Sequence, residues 1–437
     1  MNSTGAEEVV EIRAEVFAVD EKGEEQILAK PILSVRMGEE GSLEDLVEYY
    51  VPSAFSEARL IGPSEHWNEV VIPAQPTRTE KKSAGLVMTL APRKTERGDL
   101  AIDCQLKFRV LEELDVKRDD IPAHRGGPER KGAAISLSNR TAVNLIVSEI
   151  EQAWTFLEEE SNWKSGQPTV VKRGAEAVLT PQVRLEANIR TAKESTVSRD
   201  EHLVRLRMRV VESDEPLDTT GVILSNPQYE NWVRSTSEKK GTDLLAAPSV
   251  TIPSGLDGTI EVTREFIYPV AYDPPETNDN PKSSEPFSFA ATPSTPSEFQ
   301  VERTGIMAEF KPLLTSRGTI RLESSFRVSE FEGFTNFGEP IYTFKHPRQV
   351  EKTVIVSENR VLAPSFLNRA IETTTELAPD ETMLVGGVMK TETVEVEESK
   401  AVLGDLPVIG KHWRTSYEET TYRYLYFLIT PQLIERP

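Results

Sequence analysis

Apolar and polar residues alternate along much of this chain. The clearest run is Ile102, Cys104, Leu106, Phe108 and Val110, interleaved with Asp103, Gln105, Lys107 and Arg109. Successive side chains of a strand point to opposite faces, so this pattern predicts a strand with one packed face and one wet face. The same period recurs at Val10, Ile12, Ala14, Val16 and Ala18, at Val183, Leu185, Ala187 and Ile189, and at Val204, Leu206, Met208 and Val210. In the last of these, Arg205, Arg207 and Arg209 fall on the wet face, where pairing with neighbouring carboxylates is the ordinary reading ahead of a basic ligand ridge. A continuous apolar run, Tyr424 to Ile429, closes on Thr430-Pro431 and predicts a strand buried on both faces.

Two segments break the period. From about Thr141 to Glu159, Val143, Ile146, Ile150, Ala153 and Leu157 fall three and four residues apart, which predicts an amphipathic helix. A second helix starts at Ser225-Asn226-Pro227-Gln228, where a capping serine, an early proline and a glutamine three residues after the cap coincide, and it stops at Gly241. Its apolar face holds Tyr229, Trp232 and Val233. The proline-rich stretch Ala271 to Ser297 and the charged stretch Arg118 to Gly132 read as long connectors.

The chain also repeats itself. Ile27 to Gly38 aligns without gaps to Leu244 to Gly255, at the spacing that carries Leu28 to Leu245. The match continues through Gly41 and Gly258, Glu44 and Glu261, and Pro52 and Pro269. After a shift of three it pairs Gly85 with Gly305, Pro92 with Pro312, and Arg97-Gly98 with Arg317-Gly318. Alternation alone does not bring prolines and glycines back in register, so this is a duplication. Each copy reads as a strand ending at a glycine turn, a second strand, a variable loop, and two strands joined by an Arg-Gly turn.

Composition narrows the partners. With 50 basic and 71 acidic side chains over 437 residues the net charge is -21, which repels phosphate backbones and excludes nucleic acid. The length fits about two domains. Cys104, the sole cysteine, excludes an intramolecular disulfide and a cysteine-rich metal cluster, and its apolar slot reads as a packed thiol. Residues Met1 to Glu8 lack the basic start and apolar core of a secretory signal, and no window has the apolar length of a membrane helix. Barrels cross a bilayer without such windows, so a membrane partner stays open at this point.

Catalytic chemistry finds no candidates. His66, His124, His202, His346 and His412 are far apart, without the paired spacing of a metal site or triad. Asp380-Glu381 reads as a tight turn before a strand. No cofactor is expected.

Three motifs in the second half resemble the C-terminal domain of secretins, the outer-membrane channels of type II and type III secretion and type IV pilus systems. The first is the helix followed by Leu245-Ala246-Ala247-Pro248-Ser249-Val250, then Gly305 to Pro312, similar to the family's helix and its two proline-ended strands. The second is Thr382-Met383-Leu384-Val385-Gly386-Gly387-Val388, which looks like the double-glycine strand. The third is Val402-Leu403-Gly404-Asp405-Leu406-Pro407-Val408-Ile409-Gly410-Lys411-His412-Trp413-Arg414, close to the family's Leu-Gly-Asp segment except at His412-Trp413. The chain finishes on a strand similar to the family's last one. The resemblance implies structural roles for Pro248, Gly255, Gly305, Pro312, Gly386, Gly387, Gly404, Asp405, Pro407, Gly410, Thr430 and Pro431. Glycines there let a strand bend or a backbone approach.

The fold expected is mainly β with a few helices: a secretin-like antiparallel β domain at 222–437, preceded by a partial repeat of the same unit at 1–117. Residues 118–165 would be a linker and amphipathic helix, and 166–221 connecting strands. The resemblance implies a non-enzymatic, homo-oligomeric ring of the bacterial envelope, in the outer membrane or periplasm, partnered by other secretion or pilus apparatus proteins. The alternative is a soluble periplasmic adaptor that kept the fold without a pore, since the stretch Phe331 to Leu367 shows no two strands with a lipid-facing band.

Overall fold

The computed structural model describes residues 8–19, 25–61, 70–123, 135–159, 162–165, 169–173, 181–191, 202–216, 222–238, 241–276, 291–346, 349–399 and 414–435. The first half of the chain forms β1 (Glu8–Val19), β2 (Glu25–Ala29), β3 (Ile32–Arg36), β4 (Gly41–Phe55), β5 (Arg59–Ile61) and β6 (Val70–Ile72), then β7 (Pro76–Lys94), β8 (Leu100–Ala123), β9 (Ile135–Glu159), β10 (Asn162–Ser165), β11 (Thr169–Arg173) and β12 (Pro181–Thr191). The second half forms β13 (His202–Ser213), β14 (Ile223–Leu224), α1 (Asn226–Glu238), β15 (Thr242–Ala246), β16 (Ser249–Pro253), β17 (Gly258–Asp273) and β18 (Thr295–Leu314). It ends with β19 (Ile320–Asn336), β20 (Ile341–His346), β21 (Gln349–Ser357), β22 (Leu362–Leu377), β23 (Thr382–Ser399) and β24 (Arg414–Glu435).

One sheet runs β12-β1-β3-β23-β24-β13-β15, with β2, β14 and β16 beside it. The other contains an antiparallel path, β17-β18-β19-β22-β4-β7-β8-β9, with β10 and β11 against β9. A small third sheet is β21-β20-β6-β5. Alternation supplies the core between the two large sheets. Val10, Ile12, Ala14, Val16 and Ala18 are all buried, as are Ile102, Cys104, Leu106, Val204, Leu206, Met208 and Val210. Phe326 of β19 stacks on Phe427 of β24 at 4.8 Å, joining the sheets. Each such fully buried side chain contributes about 1.5–3 kcal/mol.

The duplication is explicit in the backbone. Gly38 donates to the Pro92 carbonyl at 2.9 Å, and Gly255 donates to the Pro312 carbonyl at 2.6 Å. The Thr95–Asp99 turn and the Thr315–Thr319 turn close with the same two hydrogen bonds. Gly85 and Gly305 both have positive φ, +132° and +126°. A Cβ on Gly85 would lie 2.0 Å from the Asp45 carbonyl oxygen, and on Gly305 2.3 Å from that of Val262. These are equivalent crossings, at each of which only glycine fits. Both copies also carry the same bulges, at Pro52/Ala54 and at Pro269/Ala271. The correspondence extends to strands whose residues do not align. β1 pairs β2, β3 and β12 as β13 pairs β15, β16 and β24, and β8 pairs β9 as β19 pairs β22. Among the described residues no strand of the first copy takes the place of β23, so the first copy is the partial one.

The structure corrects several expectations. The segment Thr141 to Glu159 is not a helix but part of β9, and with it the linker-and-helix reading of 118–165 falls. Ile150, Gln152, Trp154 and Phe156 are buried there, so the true period is two, with polar Gln152 inside and Ala153 outside. That exchange of faces is what mimics helical spacing, and the ladder with β8 decides the outcome. The connector at 118–132 begins as the end of β8, through Ala123. The stretch 331–367 does hold strands: the end of β19, the hairpin β20–β21 and the start of β22. The proline-rich connector is shorter than expected, because β17 reaches Asp273 and β18 begins at Thr295. The helix at Ser225 forms as α1, where Gln228 accepts hydrogen bonds from the Ser225 amide (2.9 Å) and hydroxyl (2.7 Å).

Candidate assembly interface

The two copies meet edge to edge where β22, the last strand of the second copy in its sheet, pairs with β4, the first of the other. Eight residue pairs run from Ser365 opposite Tyr49 to Glu372 opposite Ser42. At the middle of this seam Asp45 stands opposite Arg369. Both occupy apolar slots of alternating strands, between Leu43 and Val47 and between Leu367 and Ile371. Arg369 is 1% exposed and ion-paired with Glu330 of β19. Burial pushes the Asp45 carboxyl up to about 7; the Arg369 guanidinium opposes that rise and Glu330 adds to it. A desolvated acid beside one shared cation cannot ionise at its ordinary value.

Beside the ion cluster lies an aromatic one. The Tyr50 and Tyr268 hydroxyls, one from each copy, are 2.5 Å apart. Phe366 packs edge-on against Tyr50 at 6.3 Å and against Phe266 at 5.6 Å, and Phe266 stacks on Phe331 at 4.4 Å. Burial pushes both tyrosine hydroxyls upward. Arg78 and Glu298, equivalent positions of the two copies, form an exposed ion pair at 3.2 Å.

The motif residues fall in three places. Pro248 accepts from the Met208 amide at 3.0 Å, between β15 and β16. Gly255, Gly305 and Pro312 shape the β17–β18 hairpin described above. Gly386 and Gly387 lie where the first copy crosses the second, with φ of +146° and +79°. A Cβ on Gly387 would stand 1.7 Å from the Lys30 carbonyl oxygen, and the Lys30 amide donates to the Gly387 carbonyl at 3.1 Å. Thr430 is buried with its hydroxyl 2.7 Å from that of Thr382, and the Pro431 carbonyl accepts from the Asp380 amide at 2.8 Å. Gly404, Asp405, Pro407 and Gly410 lie outside the described residues. Reading the sequence missed Asp45, Arg369 and Glu330, though a charge in the apolar slot of an alternating strand was the available signal.

An open groove of about 580 Å³ has Glu40, Asp257, Glu309, Lys311, Glu323 and Glu372 on its walls. Among the described residues, no cluster of three His, Cys, Asp or Glu side chains is placed to hold a metal. Burial pushes the Cys104 thiol up to about 12, so it is not a nucleophile at neutral pH. No helix among the described residues is long and apolar enough to cross a membrane.

A duplicated, antiparallel β architecture whose copies join by a strand ladder defines a class of strand-assembled β proteins. The sequence profile of the Secretin family, described as bacterial type II and III secretion system protein, matches residues 236–435. That part of the chain is a bacterial secretin domain. Secretin OutD of Pectobacterium carotovorum subsp. carotovorum is 25% identical over 210 residues, 47% of this chain and 26% of that relative. Secretin ExeD of Aeromonas hydrophila is 32% identical over 73 residues, 17% of this chain and 11% of that relative. The chain therefore matches about a quarter or less of these relatives' length. Among solved structures, the Klebsiella pneumoniae type II secretion system outer membrane complex of PulD, PulS and PulC HR domain is similar at TM-score 0.25 and 15% identity, over 55% of this chain and 41% of that one. The Vibrio cholerae type IV competence pilus secretin PilQ gives TM-score 0.23 and 11% identity over 98% of this chain and 61% of that one.

Proposed function

We propose that this protein is a secretin-like component of the bacterial envelope that assembles into a homo-oligomeric ring or channel for protein secretion or pilus passage, and that it does no catalysis. The observation that carries the reading is the secretin domain at residues 236–435. The strand path is consistent with it: among the described residues the outer edge of β17 is bridged only once, from Ala271 to Arg78 of β7. An exposed strand edge is a template for pairing with another chain. Its partners on this reading are further copies and other proteins of a secretion or pilus apparatus, in the outer membrane or periplasm. The test is particle size in detergent by mass photometry. A large, heat-resistant assembly is expected; a stable monomer in plain buffer would refute the ring.

One observation favours the second reading, a periplasmic adaptor without a pore. On the outward face of β17 and β18, Glu261, Glu265, Arg303, Glu309 and Lys311 share the surface with exposed Ile267, Phe299 and Val301, and Glu261 and Arg303 are 3.8 Å apart, whereas a lipid-facing strand surface is a continuous apolar band. Flotation with phospholipid vesicles separates the two readings, since only an inserting ring floats after a high-salt wash.

A further inference from the structure

The duplication allows one strand face to be compared with its own equivalent. β13 holds in the second copy the place that β1 holds in the first, because Leu206 stands opposite Val250 as Ile12 stands opposite Leu33, and those partners align in the repeat. On the outward face this sets Arg205, Arg207 and Arg209 against Glu11, Arg13 and Glu15. In β1 the row is neutralised by its own sheet. Glu15 pairs with Lys30 at 3.1 Å and with Arg184 at 3.0 Å, Glu11 pairs with Arg190 at 4.0 Å, and Arg13 stands opposite Glu186. In the second copy Ala247, Leu428, Thr430 and Ile434 take the places of Lys30, Arg184, Glu186 and Arg190. Among the described residues none of the three arginines of β13 is in an ion pair, so the carboxylate pairing that alternation suggests for them does not form. Asp380, which lies beside Gln432 opposite Arg205, is taken up by the Gln432 amide at 2.6 Å. In a chain of net charge -21, three uncompensated cations in line reverse the local sign of the field.

Arg209 also connects this row to an apolar pocket. Its guanidinium lies 5.7 Å from the centre of the Tyr229 ring of α1, an arrangement that fixes the group and leaves its N–H edge free for a carboxylate. The pocket beside it, of about 230 Å³, lies between α1, β13 and β15, with Val211, Trp232, Val233, Thr236 and Leu244 on its walls. Leu244 is 59% exposed there.

We propose that the outward face of β13 docks an extended acidic segment of another protein, its carboxylates on Arg205, Arg207 and Arg209 and one apolar side chain in the pocket beside α1. The spacing defines the ligand. Every second residue of a strand recurs at about 6.6–6.8 Å, so the row spans about 13 Å and matches carboxylates at alternate positions of an extended peptide. Val211, the next outward residue of β13, lines the pocket, so the apolar anchor belongs two residues beyond the last acid. The site lies on a sheet face and does not depend on the ring.

Fluorescence anisotropy on the full chain tests this, at about 0.15 M salt so that long-range attraction is screened. The probe is a labelled peptide with glutamate at three alternate positions, threonine between them, and phenylalanine two residues outside each end, so that either chain direction seats an anchor. Saturable binding is expected, about tenfold weaker when the glutamates are glutamine and about fivefold weaker when the phenylalanines are serine. Arg205→Gln with Arg207→Gln should weaken the glutamate peptide about fivefold. Both positions are exposed, so that variant should keep the parent's urea midpoint. Arg59→Gln with Arg97→Gln, the same change of charge at two exposed positions elsewhere, should bind as the parent does. No binding, equal affinity for the glutamate peptide and either exchanged peptide, or equal loss in the two double variants overturns the proposal. So does pelleting with phosphatidylglycerol vesicles that the β13 variant abolishes while the peptide fails to bind, since the row would then read a lipid surface.

Discussion

Replacing Asp45 by asparagine isolates the electrostatics of the seam. The carboxyl titrates near 7 in the folded protein because burial raises it more than Arg369 lowers it. In the unfolded chain an aspartate titrates at about 3.9. Between those values the folded state binds the proton more tightly, so stability is greatest at and below about pH 4 and falls as pH rises through 7. The loss is about 1.4 kcal/mol per pH step, so about 4 kcal/mol in full; Asp45 keeps part of its surface in solvent, and screening reduces this to about 2–3 kcal/mol. An asparagine side chain has nearly the same shape and no charge to desolvate. The Asp45→Asn variant should therefore be more stable than the parent at pH 8 by about 2–3 kcal/mol and close to it at about pH 4.5. Urea unfolding followed by the fluorescence of the buried Trp154 and Trp232 at the two pH values measures this. Equal shifts of parent and variant with pH would refute the reasoning, because the titrating group would then lie elsewhere.

Arg369→Met leaves Glu330 and Asp45 without their buried cation and should cost about 3–5 kcal/mol at pH 8, read from the same urea curves. At about pH 5, where Asp45 is protonated, the cost should shrink. Gly387→Ala places a methyl 1.7 Å from the Lys30 carbonyl at a φ of +79°, so the crossing of the two copies must open. Limited proteolysis should then cleave near Lys30 faster than in the parent. Cys104, with its thiol pushed up to about 12, should resist aromatic disulfide reagents at pH 8 until urea exposes it, and labelling of the native protein would show that it is not packed.

How much of this was legible from the residues depends on how local the deciding interaction is. Period-two alternation at Val10 to Ala18 and at Ile102 to Val110 depends only on a strand's own geometry, and those runs are strands as read. The capping box at Ser225 is equally local, and it starts α1. The repeat was visible because prolines and glycines mark turns and crossings that no other residue supplies, as at Gly85 and Gly305.

Contacts between distant segments settle the rest. The apolar spacing from Val143 to Leu157 satisfies a helix on paper, but β8 offers a ladder for that whole length, and pairing overrides a weak periodic signal. Which strand edges meet is a relation between distant residues that alternation does not encode. That Asp45 faces Arg369, more than three hundred residues away, follows from the β22–β4 register alone. A β-rich, duplicated chain can be read from its residues because turns and alternation are local. How the copies join belongs to the folded molecule, because an edge is defined by what lies beside it.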